Sequence, residues 1–167
     1  MKAVFSILVD NTSGVLSRVA GLFSRRGFNI DSLTVSETED PAYSRMTIVS
    51  TGDDDVLDRI EKQLAKQVDV KSVKVLSPDD SVTRELILVK VAAGPADRQA
   101  VIATSDIFRA KIVDVSASSL TVELTGNQSK ISAFINLLGE DRILELVRTG
   151  VTGLERGAGC MSDSIED

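Results

Sequence analysis

Histidine and tryptophan are missing from this 167-residue chain, and cysteine occurs once. Without histidine the chain lacks the side chain that most often serves as general base at neutral pH and as metal ligand. A single thiol, Cys160 in a glycine-rich stretch, can close no internal disulfide and build no thiolate metal site. Basic residues are outnumbered, 19 against 25, and residues 77–167 carry 9 against 14. The one adjacent basic pair, Arg25-Arg26, falls where a helix is expected to end, so the basic stripe that a nucleic acid requires is lacking. No apolar run approaches the ~18 residues that cross a bilayer. After Lys2 the chain enters a strand-like pattern without the apolar core of a leader, so a cytoplasmic protein is expected. Walker, Gly-x-Gly-x-x-Gly, Gly-x-Ser-x-Gly and EF-hand spacings do not occur. Asp53-Asp54-Asp55 is better suited to a helix start than to a metal, because adjacent helical carboxylates point to different sides.

The 43% of hydrophobic residues come in short periodic runs, the pattern of a globular chain. Residues 3–9 are β-branched and apolar enough for a central strand. From Gly14 the period changes: Val15, Leu16, Val19, Leu22 and Phe23 form one helical stripe, closed by Arg25-Arg26-Gly27. Phe28 to Thr38 and Tyr43 to Thr51 read as two strands around the turn residues Glu39-Asp40-Pro41. The first of these is expected to put Phe28, Ile30 and Thr34 on one face and Asn29, Leu33 and Val35 on the other. A second helix carries Val56, Leu57, Ile60 and Leu64, and Val68 to Leu76 alternates as a last strand. The order β-α-β-β-α-β is the split βαβ, ferredoxin-like plan.

Ser77-Pro78-Asp79-Asp80-Ser81 reads as a linker, and the same plan recurs loosely after it. Leu86 to Ala93, Lys111 to Ser116, Leu120 to Thr125 and Ile143 to Thr149 are its strands, with helices from about Ala96 and around Ile131 to Leu138. The expectation is an α+β chain of two ferredoxin-like (βαββαβ) domains, residues 1–77 and 82–156. A disordered tail is expected over 157–167, which includes Glu166 and Asp167.

One segment carries chemistry. Asp10-Asn11-Thr12-Ser13-Gly14-Val15-Leu16 joins the first strand to the first helix. A helix that opens at Gly14 points unpaired N–H groups and a partial positive charge back into the loop, where a carboxylate can sit. Gly14 permits close approach, and the Asn11 amide offers both a donor and an acceptor. A plain helix cap at Asn11 or Ser13 is the competing reading of the loop taken alone. The equivalent stretch of the second half, Ala93-Gly94-Pro95, reads as an ordinary turn.

Asn11-x-x-Gly14-Val15-Leu16, Gly27-Phe28-Asn29-Ile30-Asp31-Ser32-Leu33 and Ser44-Arg45-Met46-Thr47-Ile48 together resemble the N-terminal ACT domain of regulatory (small) subunits of acetolactate synthase. The resemblance extends to Phe108-Arg109-Ala110-Lys111-Ile112-Val113-Asp114-Val115 and Arg148-Thr149-Gly150-Val151-Thr152-Gly153-Leu154 in the second half. It implies a non-catalytic protein that activates a large catalytic subunit and confers feedback inhibition by valine in branched-chain amino-acid synthesis. Thiamine diphosphate, Mg2+ and FAD are then expected on the large subunit only. It further implies a homodimer through the ACT domains, paired edge to edge or through helices, with the effector at the interface. Asn11, Gly14, Val15 and Leu16 of one protomer would hold the carboxylate and ammonium of valine, and Asn29 and Ile30 of the facing protomer would complete the pocket. Discrimination against leucine or isoleucine is expected to be shallow, since one methylene changes binding by about 1–3 kcal/mol.

Three alternatives remain at this level: an ACT-type amino-acid sensor for a different metabolic enzyme, a small ferredoxin-like hydrolase of the acylphosphatase type, and a purely structural interaction protein. The hydrolase needs an arginine in the loop after the first strand, and residues 10–14 contain none.

Overall fold

Strand β1 (Lys2–Asp10) is buried along most of its length, in keeping with its apolar, β-branched composition. A computed structural model describes residues 1–165 and continues with α1 (Val15–Arg26), β2 (Ser32–Glu37), β3 (Tyr43–Thr51), α2 (Asp54–Ala65) and β4 (Val70–Leu76). The four strands form an antiparallel sheet in the order β2-β3-β1-β4. Then follow β5 (Ser81–Ala92), α3 (Arg98–Ile107), β6 (Lys111–Val115), β7 (Ser119–Gly126), α4 (Gln128–Leu138) and β8 (Ile143–Arg148), with sheet order β6-β7-β5-β8. A short strand, β9 (Thr152–Glu155), pairs with β5. Both halves therefore have the α+β, ferredoxin-like plan that the periodicities imply. No helix among the described residues is long and apolar enough to cross a membrane.

The first core forms where Phe5, Ile7, Met46 and Ile48 of the sheet meet Val19 and Phe23 of α1 and Ile60 and Leu64 of α2. Each such side chain contributes roughly 1.5–3 kcal/mol on leaving water. Local signals set the helix ends. Gly27 adopts φ 70, and its N–H together with that of Phe28 closes the last turn of α1 onto Ser24 and Phe23 carbonyls. At α2, the Asp53 carboxylate accepts from Val56 N–H at 2.8 Å. The second core joins Ile87, Val89 and Val122 to Val101 of α3 and Phe134 of α4.

Four features differ from the sequence reading. Residues 28–31 are not strand, and β2 begins only at Ser32. Alternation therefore fails across this stretch, and Phe28, Ile30 and Leu33 all pack on the same core. Val68 lies outside β4 and is exposed. Of the expected linker, residues 77–80 form a turn, whereas Ser81 is buried and starts β5, bonding back to Ser77 O at 2.5 Å.

The largest difference lies at the end of the chain. Two compact units are present: residues 1–83 with the stretch from Val151 onward, and Arg84–Gly150. Instead of trailing from Gly157, the chain folds back on the first unit and forms a 3₁₀ turn at Met161–Ser164. Met161 is buried, and its sulfur accepts from the Ser6 hydroxyl at 3.1 Å. Ser164 meets Ser72 at 2.9 Å, and Lys74 pairs with Glu155. By strand alternation these contacts lie on the sheet face opposite the helices, where Ser6, Leu8, Thr47 and Val49 are also buried. Period-based reading misses such a cover because a four-residue strand and a single 3₁₀ turn carry too few positions to show a period. Glu166 and Asp167 lie outside the described residues.

Candidate effector site

The loop after β1 is pinned by one residue, Asn11. Asn11 donates its backbone N–H to Ala42 O at 2.8 Å and its amide Nδ2 to Pro41 O at 2.9 Å. Its Oδ1 accepts from the Ser44 hydroxyl at 3.0 Å. Three bonds thus pin the loop to the β2–β3 hairpin, a brace that leaves one amide hydrogen and one carbonyl lone pair for anything else. Gly14 then turns the chain at φ 86, where a side chain is strained, and α1 opens without a side-chain cap. Among the described residues, the N–H groups of Gly14 and Val15 find no acceptor. They sit at the positive end of a twelve-residue helix.

Beside this helix start is a cavity of about 230 Å³. Asp10, Asn11 and Thr12 form its polar rim, Val15 and Leu16 one wall, and Val35, Ser36 and Met46 the other. Its volume lies below the roughly 300–1,000 Å³ typical of drug-sized ligands, which suits a small aliphatic molecule. Val15 buries its side chain and can offer only its N–H outward, whereas Leu16 is 44% exposed and presents its side chain.

Arg18 is the participant that the sequence reading missed. Its Nε donates to Asp69 Oδ2 at 2.6 Å, and its Nη1 lies 2.8 Å from the position a Cβ would take on Gly14. The guanidinium therefore rests against the turn and adds positive charge to the helix start. The Arg18 contact holds the Asp69 carboxyl below its usual range, and the Asp69 bond raises the Arg18 pKa in return. Helical spacing from Gly14 places Arg18 one turn on, a signal available in the sequence; its partner, 51 positions away, gives none.

Asn29 and Ile30 are elsewhere. The register pairs Ser32 with Val49 and Glu37 with Ser44, so they precede the end of β2 remote from the pocket. Asn29 is exposed, with Nδ2 donating to Asp31 Oδ1 at 2.6 Å and its carbonyl accepting from the Ser50 hydroxyl at 2.5 Å. Ile30 packs on the core. Within one chain, then, Asn11, Val15 and Leu16 come together beside Gly14, and Asn29 and Ile30 do not join them.

Unit Arg84–Gly150 repeats the junction with other chemistry. Ala93 N–H donates to Ser118 O at 2.9 Å, as Asn11 does to Ala42. Here the N–H groups of Asp97 and Arg98 both close onto Gly94 O at 3.0 Å. The Arg98 guanidinium is turned onto Ala93 O at 3.1 Å and onto Ser116 O.

Comparison with known proteins matches both halves. Residues 5–72 match the family described as AHAS small subunit-like ACT domain, and residues 84–157 that described as small subunit of acetolactate synthase. A probable acetolactate synthase small subunit of Methanothermobacter thermautotrophicus is 52% identical over 159 residues, covering 95% of each chain. The acetolactate synthase isozyme 3 small subunit of Escherichia coli is 49% identical over 158 residues, covering 94% of this chain and 97% of that one. The crystal structure of the acetolactate synthase small subunit from Thermotoga maritima superposes with a TM-score of 0.86 at 43% identity, covering 95% of this chain and 99% of that one. Two matched family regions and near-complete coverage at about half identity lead to one conclusion: this chain belongs to the family of acetolactate synthase small subunits, with an N-terminal ACT domain.

Proposed function

We propose that this chain is a non-catalytic, cytoplasmic regulatory subunit that binds the large subunit of acetolactate synthase, raises its activity and makes it sensitive to valine. The observation that carries the reading is the pair of free N–H groups at Gly14 and Val15 beside an aliphatic pocket of about 230 Å³. A free amino acid suits both parts. Its carboxylate takes the N–H groups and the positive helix end, and its branched side chain enters between Leu16 and Val35. The remaining capacity of the Asn11 amide and the Asp10 rim suits the ammonium.

In this reading two chains pair through their ACT domains, and Asn29 and Ile30 of the second chain close the pocket of the first. Ligand binding and pairing are then linked: valine that binds only the paired arrangement stabilises it by mass action, and the large subunit responds to the shifted population. Carbon–carbon bond formation, with thiamine diphosphate, Mg2+ and FAD, belongs to the large subunit.

The test is reconstitution. The purified chain is mixed with an acetolactate synthase large subunit, acetolactate formation is followed with and without valine, and valine binding to the chain is measured by calorimetry. Stimulated activity that valine suppresses, together with saturable heat, is expected. No stimulation, or no heat with valine, overturns the corresponding half of the reading.

A further inference from the structure

The chain passes from the first unit to the second inside β5, between Thr83 and Arg84, and returns between Gly150 and Val151. Both passages run through one two-stranded ribbon, β9 with the start of β5. Arg156 N–H donates to Asp80 O at 2.8 Å, and a Cβ on Gly153 would stand 3.2 Å from Val82 O and 2.9 Å from a Leu76 methyl carbon. The ribbon therefore lies close against the ACT sheet, at a position where only glycine fits without a shift.

One contact joins this ribbon to the pocket strand. Val151, buried, donates its N–H to Ser32 Oγ at 2.8 Å and accepts from Thr34 Oγ1 at 3.3 Å. Ser32 and Thr34 alternate along β2, and the next residues, Val35 and Ser36, are the pocket wall. β2 is an edge strand, bonded to β3 alone in its sheet, so this clip is a second restraint on it.

We propose that the clip of Val151 to Ser32 and Thr34 is the coupling element of the regulatory response, carrying a displacement of the pocket wall into the ribbon that leads to residues 84–150. The proposal rests on the effector reading above. Ser32 acts here as a positioning residue: it touches no ligand, and its hydroxyl sets where β2 lies on the ribbon. Coupling between two binding equilibria is reciprocal, so valine that changes how tightly the large subunit holds this chain has its own affinity changed by the large subunit by the same factor.

The experiment measures valine affinity of the full chain, alone and in complex with the large subunit, together with maximal inhibition. For the parent chain the two affinities are expected to differ by roughly fivefold or more. In Ser32→Ala the free chain keeps its valine affinity within about threefold, activates the large subunit normally, and loses most of the difference between the two states. Ser32→Thr, which keeps the hydroxyl, restores coupling. Thr34→Val removes the other bond and gives an independent reading should Ser32→Ala melt early. Unchanged coupling in both variants overturns the clip. Loss of valine binding by free Ser32→Ala overturns it too, by making Ser32 part of the site. A parent chain that fails to bind valine removes the effector reading and this inference with it, an outcome distinct from the other two.

Discussion

The two βαββαβ units share a topology and differ where the first strand meets the first helix. In the first, a side chain with both donor and acceptor, Asn11, ties the loop to its hairpin and leaves the Gly14 and Val15 N–H groups unpaired. In the second, an arginine ties the loop to its hairpin through carbonyls, and the N–H groups of Asp97 and Arg98 are already satisfied by Gly94. The same crossing is thus left with an uncapped helix start in one unit and is a closed staple in the other. Their outer sheet faces differ as well. The face opposite the helices is roofed by the returning chain in the first unit, whereas in the second the cross-strand pair Leu88 and Val147 stands 37% and 55% exposed. A fold repeated within one chain therefore does not repeat its loop chemistry. The few residues at the loop decide whether the N–H groups at the helix start are left unpaired or closed.

Filling the uncapped helix start breaks the comparison most strongly. Gly14→Asp forces a side chain into a left-handed turn, against the Arg18 guanidinium, and sets a carboxylate where that of the ligand belongs. Like charges brought together at a binding site cost several kcal/mol, so valine affinity is expected to fall by more than about 100-fold. Activation of the large subunit should be mostly kept. Calorimetry and the reconstituted assay check both halves.

Removing the staple tests the other unit. Arg98→Ala deletes two hydrogen bonds to carbonyls, and leaving such groups unmet costs about 1–3 kcal/mol. A lowered melting temperature with unchanged valine affinity is expected. A change in affinity would tie the second loop to the ligand and erase the distinction drawn between the units.

Asn29→Ala sharpens the reading of the dimer. An exposed amide before an edge strand can be truncated with little loss of stability, while its loss from the rim of a partner's pocket is expected to weaken valine binding by about 1 kcal/mol. Titration and thermal melting separate the two effects, and unaltered binding would remove Asn29 from the site.

The smallest effect is acid sensitivity at Arg18. Asp69 titrates lower in the folded chain than in the unfolded one, so its contribution is present above the usual carboxylate pKa of about 3.9 and is lost as pH falls through the depressed folded value. Asp69→Asn should therefore cost stability at neutral pH and progressively less toward acid. Urea midpoints across that range give the sign, and a constant difference between parent and variant would contradict it.

Much of this was legible in the residues. Helices α1 and α2 announce themselves through a stripe closed by Gly27 and through the Asp53 cap, both local and chemically specific. Gly14 before an apolar helix marked the uncapped start of α1 for the same reason. What escaped depends on distant partners. The ion pair of Arg18 with Asp69, the alternation broken over residues 28–31, and the roof of Thr152–Ser164 are fixed by tertiary packing that no window of sequence contains. The bond from Arg98 to the Ser116 carbonyl, eighteen positions away, is likewise beyond any local signal.

The roof also orders events during synthesis. Since Met161 and Gly153, which pack on Ser6 and Leu76, lie beyond Val151, a nascent chain that has emerged only as far as Thr83 presents that surface bare. Residues 84–150 are contiguous and meet no such delay. The half made first is thereby completed last, and ribosome-bound chains halted before Val151 are the species most exposed to aggregation and to chaperone capture.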